Sequence, residues 1–284
     1  MVKQELLDEK LVLEKTKQYK LSIQVSLNGF SFCCLDDNIK RFVALKEYSF
    51  TNNFSSSEEQ CRLLSETFEN DDLFKQSFKE VSCIYFSQTY TLIPQDFFIE
   101  KKASSYINPL ISDKGDRLEV FFKHIEANNS VAVFALPSNI VQLIRKFHPN
   151  AKFYNQCVPQ LTKQLAECTV KGFQLSILLN EGMGCLSLLE NGELKVNNTF
   201  NFESTSDLIY YTLLILRENQ ANPEDVAVYV SGDIDKRSEK YCQLAQFLPN
   251  LAVESVPKGY EYSYLFKYKA EHQFANLFKL VECV

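Results

Sequence analysis

Internal repetition at long range is what most restricts the folds open to this chain. Leu21-Ser22-Ile23 opens one apolar run and Leu175-Ser176-Ile177 opens another. Each run leads through a Gly-containing turn into two further strand-like stretches, then a Ser-rich cap and a helix. The shared tripeptide carries little weight in a chain of 284 residues, where such matches arise by chance. The shared order of elements carries the inference. Its offset drifts in one direction, from 154 residues at the first strand (21 to 175) to 148 at the helix cap (56 to 204), as trimming of loops between two copies produces. A period this long exceeds a solenoid unit and implies two halves built on one plan.

In the first copy, Tyr19 to Leu27 reads as a strand, Asn28-Gly29 as a turn and Phe30 to Leu35 as the partner strand. Asn-Gly between apolar runs is the strongest local hairpin signal, because the tightest hairpin turns need positive φ at both central residues. A second turn at Asp36-Asp37-Asn38 leads into Arg41 to Phe50, which completes a three-strand meander. Ser56 with Glu59 predicts a capping box for a helix that runs to Glu69. Val81 to Phe86 predicts a short buried strand, and Pro94 after Thr91-Leu92-Ile93 fits the first turn of a short helix. The second copy repeats the order with strands over Phe173 to Leu179, Met183 to Leu189 and Leu194 to Phe202. Turns at Asn180-Glu181-Gly182 and Asn191-Gly192 separate these strands. Ser204 and Asp207 then cap a helix over Leu208 to Asn219, and Val226 to Val230 is the following strand. The organisation expected is an N-terminal extension at 1–18, a first half at 19–170 and a second half at 171–284.

Between the copies, Leu118 to Ile125 and Val131 to Leu136 read as strands around Asn128-Asn129. Pro137-Ser138 starts an amphipathic helix that stops at His148-Pro149-Asn150, and Cys157 to Cys168 is another helix. The tail from His272 to Cys283 carries Phe274, Leu277, Phe278 and Val281, a helical stripe expected to dock on the second core.

Composition narrows the function classes. Thirty Lys and Arg against thirty-six Asp and Glu leave a net charge of -6, which argues against a dedicated nucleic-acid binder. The densest basic spots, Arg145-Lys146 and Lys267-Tyr268-Lys269, read as solvated helix faces. No apolar run approaches the ~20 residues of a membrane helix, so no membrane insertion is expected. The first residues lack the continuous apolar core of a signal peptide. Nine cysteines without a CxxC, mostly among apolar neighbours, read as reduced core thiols in a cytoplasmic chain. Cys33-Cys34 point to opposite faces of a strand and read as core residues. His124, His148 and His272 have no His or Cys at metal-ligand spacing. His148 fits a helix C-terminus and His272 a helix entry or packing position. Of Tyr210-Tyr211, one ring is expected in the core and one at its edge.

The plan of meander, helix, strand, helix and strand, occurring twice, resembles the ribonuclease-H-like duplicated fold of actin, sugar kinases and the 70-kilodalton chaperones. More narrowly, the chain resembles a Bacteroidetes family of unknown function with an actin-like ATPase fold. The residues that carry this likeness are Leu194-Lys-Val-Asn-Asn-Thr-Phe-Asn-Phe202 leading into Asp207-Leu-Ile-Tyr-Tyr211, then Ser231-Gly232-Asp233, and the His272-Gln-Phe-Ala-Asn-Leu277 … Cys283 ending. It spans about residues 19 to 284. The type IV pilus-assembly actin-like proteins share the plan more distantly. The resemblance implies an α/β fold of two ribonuclease-H-like halves in an actin-like ATPase arrangement.

It also implies where a site lies. Actin-like ATPases grip phosphates between two hairpin turns, one from each half, and an Asp near the first turn orients Mg²⁺ and its water. Here the first turn is Val25-Ser26-Leu27-Asn28-Gly29, with the Gly but without an acid; Asp36 and Asp37 lie at the opposite end of the hairpin. The second turn, Glu181-Gly182-Met183-Gly184, keeps Gly-x-Gly and one acid but also reads as an ordinary tight turn. The third loop, Ser231-Gly232-Asp233, keeps one Gly, with Asp233 or Asp235 as a candidate helix cap. Asn28, Gly29, Glu181, Gly182, Gly184, Ser231 and Gly232 are thus vestigial phosphate-loop positions, with no catalytic or metal-binding residue assigned. The reading is a non-hydrolysing binding or scaffolding module without a cofactor, partnered by another protein, with Leu27 or Met183 a candidate to fill the phosphate position. The alternative is a Mg-dependent ATPase or phosphotransferase that binds ATP in the cleft between halves, with Glu181 as the acid.

Overall fold

Leu21, Ile23 and Val25 point to one side of their strand and Ser22 to the other, and this alternation decides which layer each joins. The structure, a computed structural model, describes residues 2–26, 28–50, 57–111, 117–168, 171–268 and 271–283. The expectations for Leu27, Ser56 and Lys269 lie outside these residues, as do those for the side chains of Lys267 and Tyr268. In chain order the first part contains β1 (Val2–Leu7), β2 (Tyr19–Ser26), β3 (Gly29–Asp36), β4 (Arg41–Ser49), α1 (Ser57–Asn70) and β5 (Glu80–Tyr85). Then come β6 (Tyr90–Pro94), α2 (Ala103–Ile107), β7 (Leu118–Ile125), β8 (Ser130–Pro137), α3 (Ser138–Phe147), β9 (Lys152–Asn155) and α4 (Cys157–Glu167). The second part contains β10 (Phe173–Asn180), β11 (Met183–Glu190), β12 (Glu193–Asn201), α5 (Thr205–Glu218) and β13 (Ala227–Gly232). It ends with α6 (Glu239–Phe247), β14 (Leu251–Val253), β15 (Glu261–Tyr262) and α7 (Ala275–Lys279).

Two sheets repeat one topology. The first runs β1-β4-β3-β2-β5-β9, and the second β12-β11-β10-β13-β14. In both, the meander is antiparallel and the two later strands add in parallel beside its first strand. The duplicated α/β plan expected from the sequence is therefore present strand for strand. The N-terminal stretch adds β1 to the outer edge of β4. Between β5 and β9 the first half carries a separate three-stranded sheet, β6-β8-β7, covered by α2 through Ile107. The strand before Pro94 reaches that residue, and the short helix after it is a 3-10 turn, Gln95–Phe97.

Each sheet has a helix-covered outer face and an inner face toward the other half. Leu21 and Ile23 pack outward with Leu64 and Phe68 of α1, and Leu175 and Ile177 with Leu208 and Leu216 of α5. Ser204 and Asp207 make the predicted capping box of α5. Tyr210 and Tyr211 are a correction: both are exposed, at 62% and 37%, because the buried stripe of α5 is Leu208, Thr212 and Leu216 and the two rings lie off it.

The helices between the sheets cross over. The α4 helix follows the last strand of the first sheet yet bonds to the second: Gln160 Nε2 donates to Ser176 Oγ at 3.2 Å, and Gln164 Nε2 to Ser187 O at 3.2 Å. The tail does the converse, which corrects the expectation that it docks on the second core. Phe274, Leu277, Phe278 and Val281 pack with Cys33, Leu35, Phe42 and Leu45 of the first sheet, and β15 pairs with β4. Spacing identifies a buried stripe but not the sheet that receives it. Each fully buried Phe or Leu in such a layer contributes roughly 2–3 kcal/mol.

Candidate functional site

The two hairpin turns meet between the halves. The Asn28 N–H donates to Glu181 Oε2 at 2.9 Å, a bond between positions 153 residues apart. Both turns are braced alike: Asn28 O accepts from Phe50 N–H and Gly182 O from Phe202 N–H, each at 2.7 Å. Glu181 and Gly182 hold φ of 45° and 82°, the two left-handed residues of a tight hairpin turn. Gly29 sits where an added Cβ would run into the Tyr48 carbonyl oxygen. Gly184 lies against the Phe200 ring, 3.3 Å from where a Cβ would stand. Met183 is buried in one cluster with Leu178 and Cys185.

The third loop closes the same end of the cleft. Gly232 has φ 87° and lies on the backbone of Leu179, which accepts the Asp233 N–H at 2.9 Å. The Ile234 N–H turns back to Gly232 O at 2.7 Å. Ser231 is buried, its Oγ without a partner among the described residues. Neither Asp233 nor Asp235 caps a helix: Ser238 caps α6, while Asp235 accepts the Arg237 N–H in a local turn at 2.7 Å. That bond holds the Asp235 carboxyl below its ordinary pKa.

A cleft of about 1200 Å³ opens in front of these loops and is lined by Gly29, Glu181 and Gly232 together. Its wall carries five carboxylates, Glu47, Glu181, Asp233, Asp235 and Glu254, the last paired with Lys279 behind the wall, against Lys236, Arg237 and a histidine, His272. Residues from the ends of β4, β13 and β14 supply most of this charge; Asp233 and Asp235 belong to the loop the sequence singled out, whereas no local motif marked Glu47 or Glu254. His272 is buried, with Nε2 at 2.8 Å from Ile234 O, as its packing role predicts. Tyr48 is fixed from behind: its O–H and Lys46 Nζ both reach Asp71 Oδ2, the latter at 2.9 Å, and Phe74 N–H donates to Asp71 Oδ1. Burial pushes the Asp71 pKa up, but these bonds outweigh it and hold the carboxyl below its ordinary range. Burial, then the neighbouring Asp71, raises the Tyr48 phenol.

The remaining candidates separate from this site. Cys33 and Cys34 are buried free thiols, both raised in pKa by burial. Among the described residues no three His, Cys, Asp or Glu side chains converge as metal ligands. Arg145 and Lys146 pair with Glu119 at 2.7 Å and Glu69 at 3.1 Å. No helix among the described residues is long and apolar enough to cross a membrane.

Residues 8–251 match the family model described as "Protein of unknown function (DUF3822)", and the chain belongs to that family. No curated protein matches it in sequence. A Bacteroides thetaiotaomicron VPI-5482 protein, described as having an actin-like ATPase fold and unknown function, is similar over 86% of this chain and 93% of its own. The identity is 22% and the TM-score 0.75. A structure described as the PilM-PilN type IV pilus biogenesis complex is similar over 93% of this chain and 97% of its own, with 12% identity and a TM-score of 0.61. The fold is that of the actin-like ATPases.

Proposed function

We propose that this member of the DUF3822 family is a non-hydrolysing binding module, whose cleft between the halves takes a neutral or cationic group of a partner protein. The observation that carries the reading is the bond from Asn28 N–H to Glu181 Oε2. An amide of the first turn, which a phosphate would need, already holds a carboxylate supplied by the second turn. Two more loop amides, Asp233 and Ile234, bond to backbone carbonyls. A polyphosphate entering here meets like charge at short range, where two unit charges 4 Å apart repel by about 4 kcal/mol near a protein surface.

The alternative, a Mg-dependent ATPase or phosphotransferase, is favoured by one observation: the cleft is open, and all three loops line it. Thermal melts separate the two. On the first reading, millimolar ATP with Mg²⁺ leaves the melting temperature within about 1 °C of the free protein. A rise of several degrees that Glu181→Ala abolishes overturns it and makes Glu181 the acid of a nucleotide site.

A further inference from the structure

Two open sheet edges face each other across a second cavity, of about 800 Å³. One is β6, at the edge of the three-stranded sheet, and the other is β12, at the edge of the second large sheet. In antiparallel pairing, residues alternately turn both backbone polar groups toward the neighbouring strand and away from it. The Phe202 N–H to Gly182 O bond sets that phase on β12, so Asn197, Thr199 and Asn201 turn their N–H and C=O away from β11. On β6, Ala135 N–H to Thr89 O and Gln95 N–H to Asn129 O set it, so Leu92 turns both groups outward. No backbone hydrogen bond among the described residues joins the two edges.

The walls between the edges are complementary. Leu92, Pro94 and Leu110 make an apolar side, while Asn197, Asn198 and Thr199 make an uncharged polar one. Buried Tyr90 ties the strands together, its O–H donating to Asn197 Oδ1 at 2.6 Å and lying 3.0 Å from Thr199 Oγ1. Sheet edges are ordinarily guarded by charge, proline or a bulge. The first part of β12 has such guards, a bulge and Lys195 paired with Glu190 at 3.2 Å, but residues 196–201 carry no charge.

We infer that the slot between β6 and β12 takes an extended, uncharged peptide segment of a partner protein, added as a strand that joins the two sheets. On the β12 side Asn197, Thr199 and Asn201 supply donors and acceptors at strand spacing. On the β6 side Tyr90, Leu92 and Pro94 supply carbonyls at that spacing and Leu92 the N–H, since Tyr90 N–H bonds to Gln88 O and Pro94 has none. An extended main chain matches this arrangement. The absence of net charge in the slot's centre matches a segment without charge. Strand and sheet spacings of about 3.3, 4.8 and 10 Å allot roughly 160 Å³ per residue, so the 800 Å³ slot holds about five residues. That is the length of β6.

The test is selection of a displayed library of random ten-residue peptides on the full chain, followed by fluorescence-polarisation titration of the enriched peptide. The expected peptide has an uncharged core and protects the amides of Leu92, Asn197 and Thr199 from hydrogen exchange. N-methylation at any central residue should weaken it tenfold or more, because both edges are engaged. Leu110→Asp, at a residue 45% exposed, should do the same without changing the melting curve. No enrichment, or a peptide that binds Leu110→Asp as tightly or tolerates alternate N-methylation, overturns the inference. The slot is independent of the cleft: a peptide that binds Leu110→Asp as tightly but is weakened by Lys236→Glu, on the cleft wall, removes the slot alone, and nucleotide binding in the cleft leaves the slot standing.

Discussion

Replacing Gly232 by Ala tests whether the third loop is shaped by packing. The built Cβ stands 2.9 Å from the Leu179 carbonyl carbon and 3.1 Å from its nitrogen, and closer still to the oxygen. These are backbone atoms of a central strand, so no side-chain rotation relieves the overlap. Three terms add: about 1 kcal/mol for a non-Gly residue at positive φ, about 1–3 for forced displacement of a well-packed neighbour, and about 1 for the weakened Asp233 N–H bond to Leu179. A total near 4 kcal/mol, at roughly 2–3 °C per kcal/mol for a chain of this size, lowers the melting temperature by about 10 °C. Gly192→Ala is the reference, because Gly192 also has positive φ, 85°, but has nothing within 4 Å of the added Cβ. It should lose only about 1 kcal/mol. The assay is a circular-dichroism thermal melt of the two variants beside the parent chain. Equal shifts would show that the close approach to Leu179 does not shape this loop.

Two further outcomes follow from buried ionisable groups. Burial lowers the His148 pKa to about 4, and its Nε2 has no partner among the described residues. The unfolded chain therefore binds more protons between pH 6.5 and 4, and stability falls as pH drops through that window. About 2.5 kcal/mol is lost from this group by pH 4.5, so urea midpoints of His148→Phe should vary less with pH than those of the parent; an identical slope refutes the assignment. Lys279, buried on α7, pairs with Glu254 Oε1, while Glu254 Oε2 has no partner among the described residues. Lys279→Met should lose about 3–5 kcal/mol in denaturant titration, and adding Glu254→Leu should restore most of it. A single variant as stable as the double would mean the carboxylate is still solvated.

Much of each half was legible along the chain. Asn191-Gly192 marks its hairpin because few residue pairs tolerate two positive φ values, and Ser204 with Asp207 marks the start of α5 because both side chains bond within one turn. Less legible were β9, β14 and α6, whose apolar runs are too short for periodicity to separate from loop. Of the candidate site, the three loops were visible as glycine turns, whereas Glu47, Tyr48 and Glu254 were not. Their presence in the cleft depends on where strands end.

By itself, the sequence determined the local and repeated features: two meanders, their turns, the caps of the helices and the alternation that assigns each strand a buried face. These follow from φ/ψ preference and side-chain period, which neighbouring residues settle among themselves. Only the tertiary structure decided which partner each face meets. It sent the Phe274–Val281 stripe to the first sheet, put the Glu181 carboxylate on the Asn28 amide, and left β6 and β12 facing each other unpaired. Apolar burial is non-directional, so a stripe or an edge carries no address for its partner until the whole chain has packed.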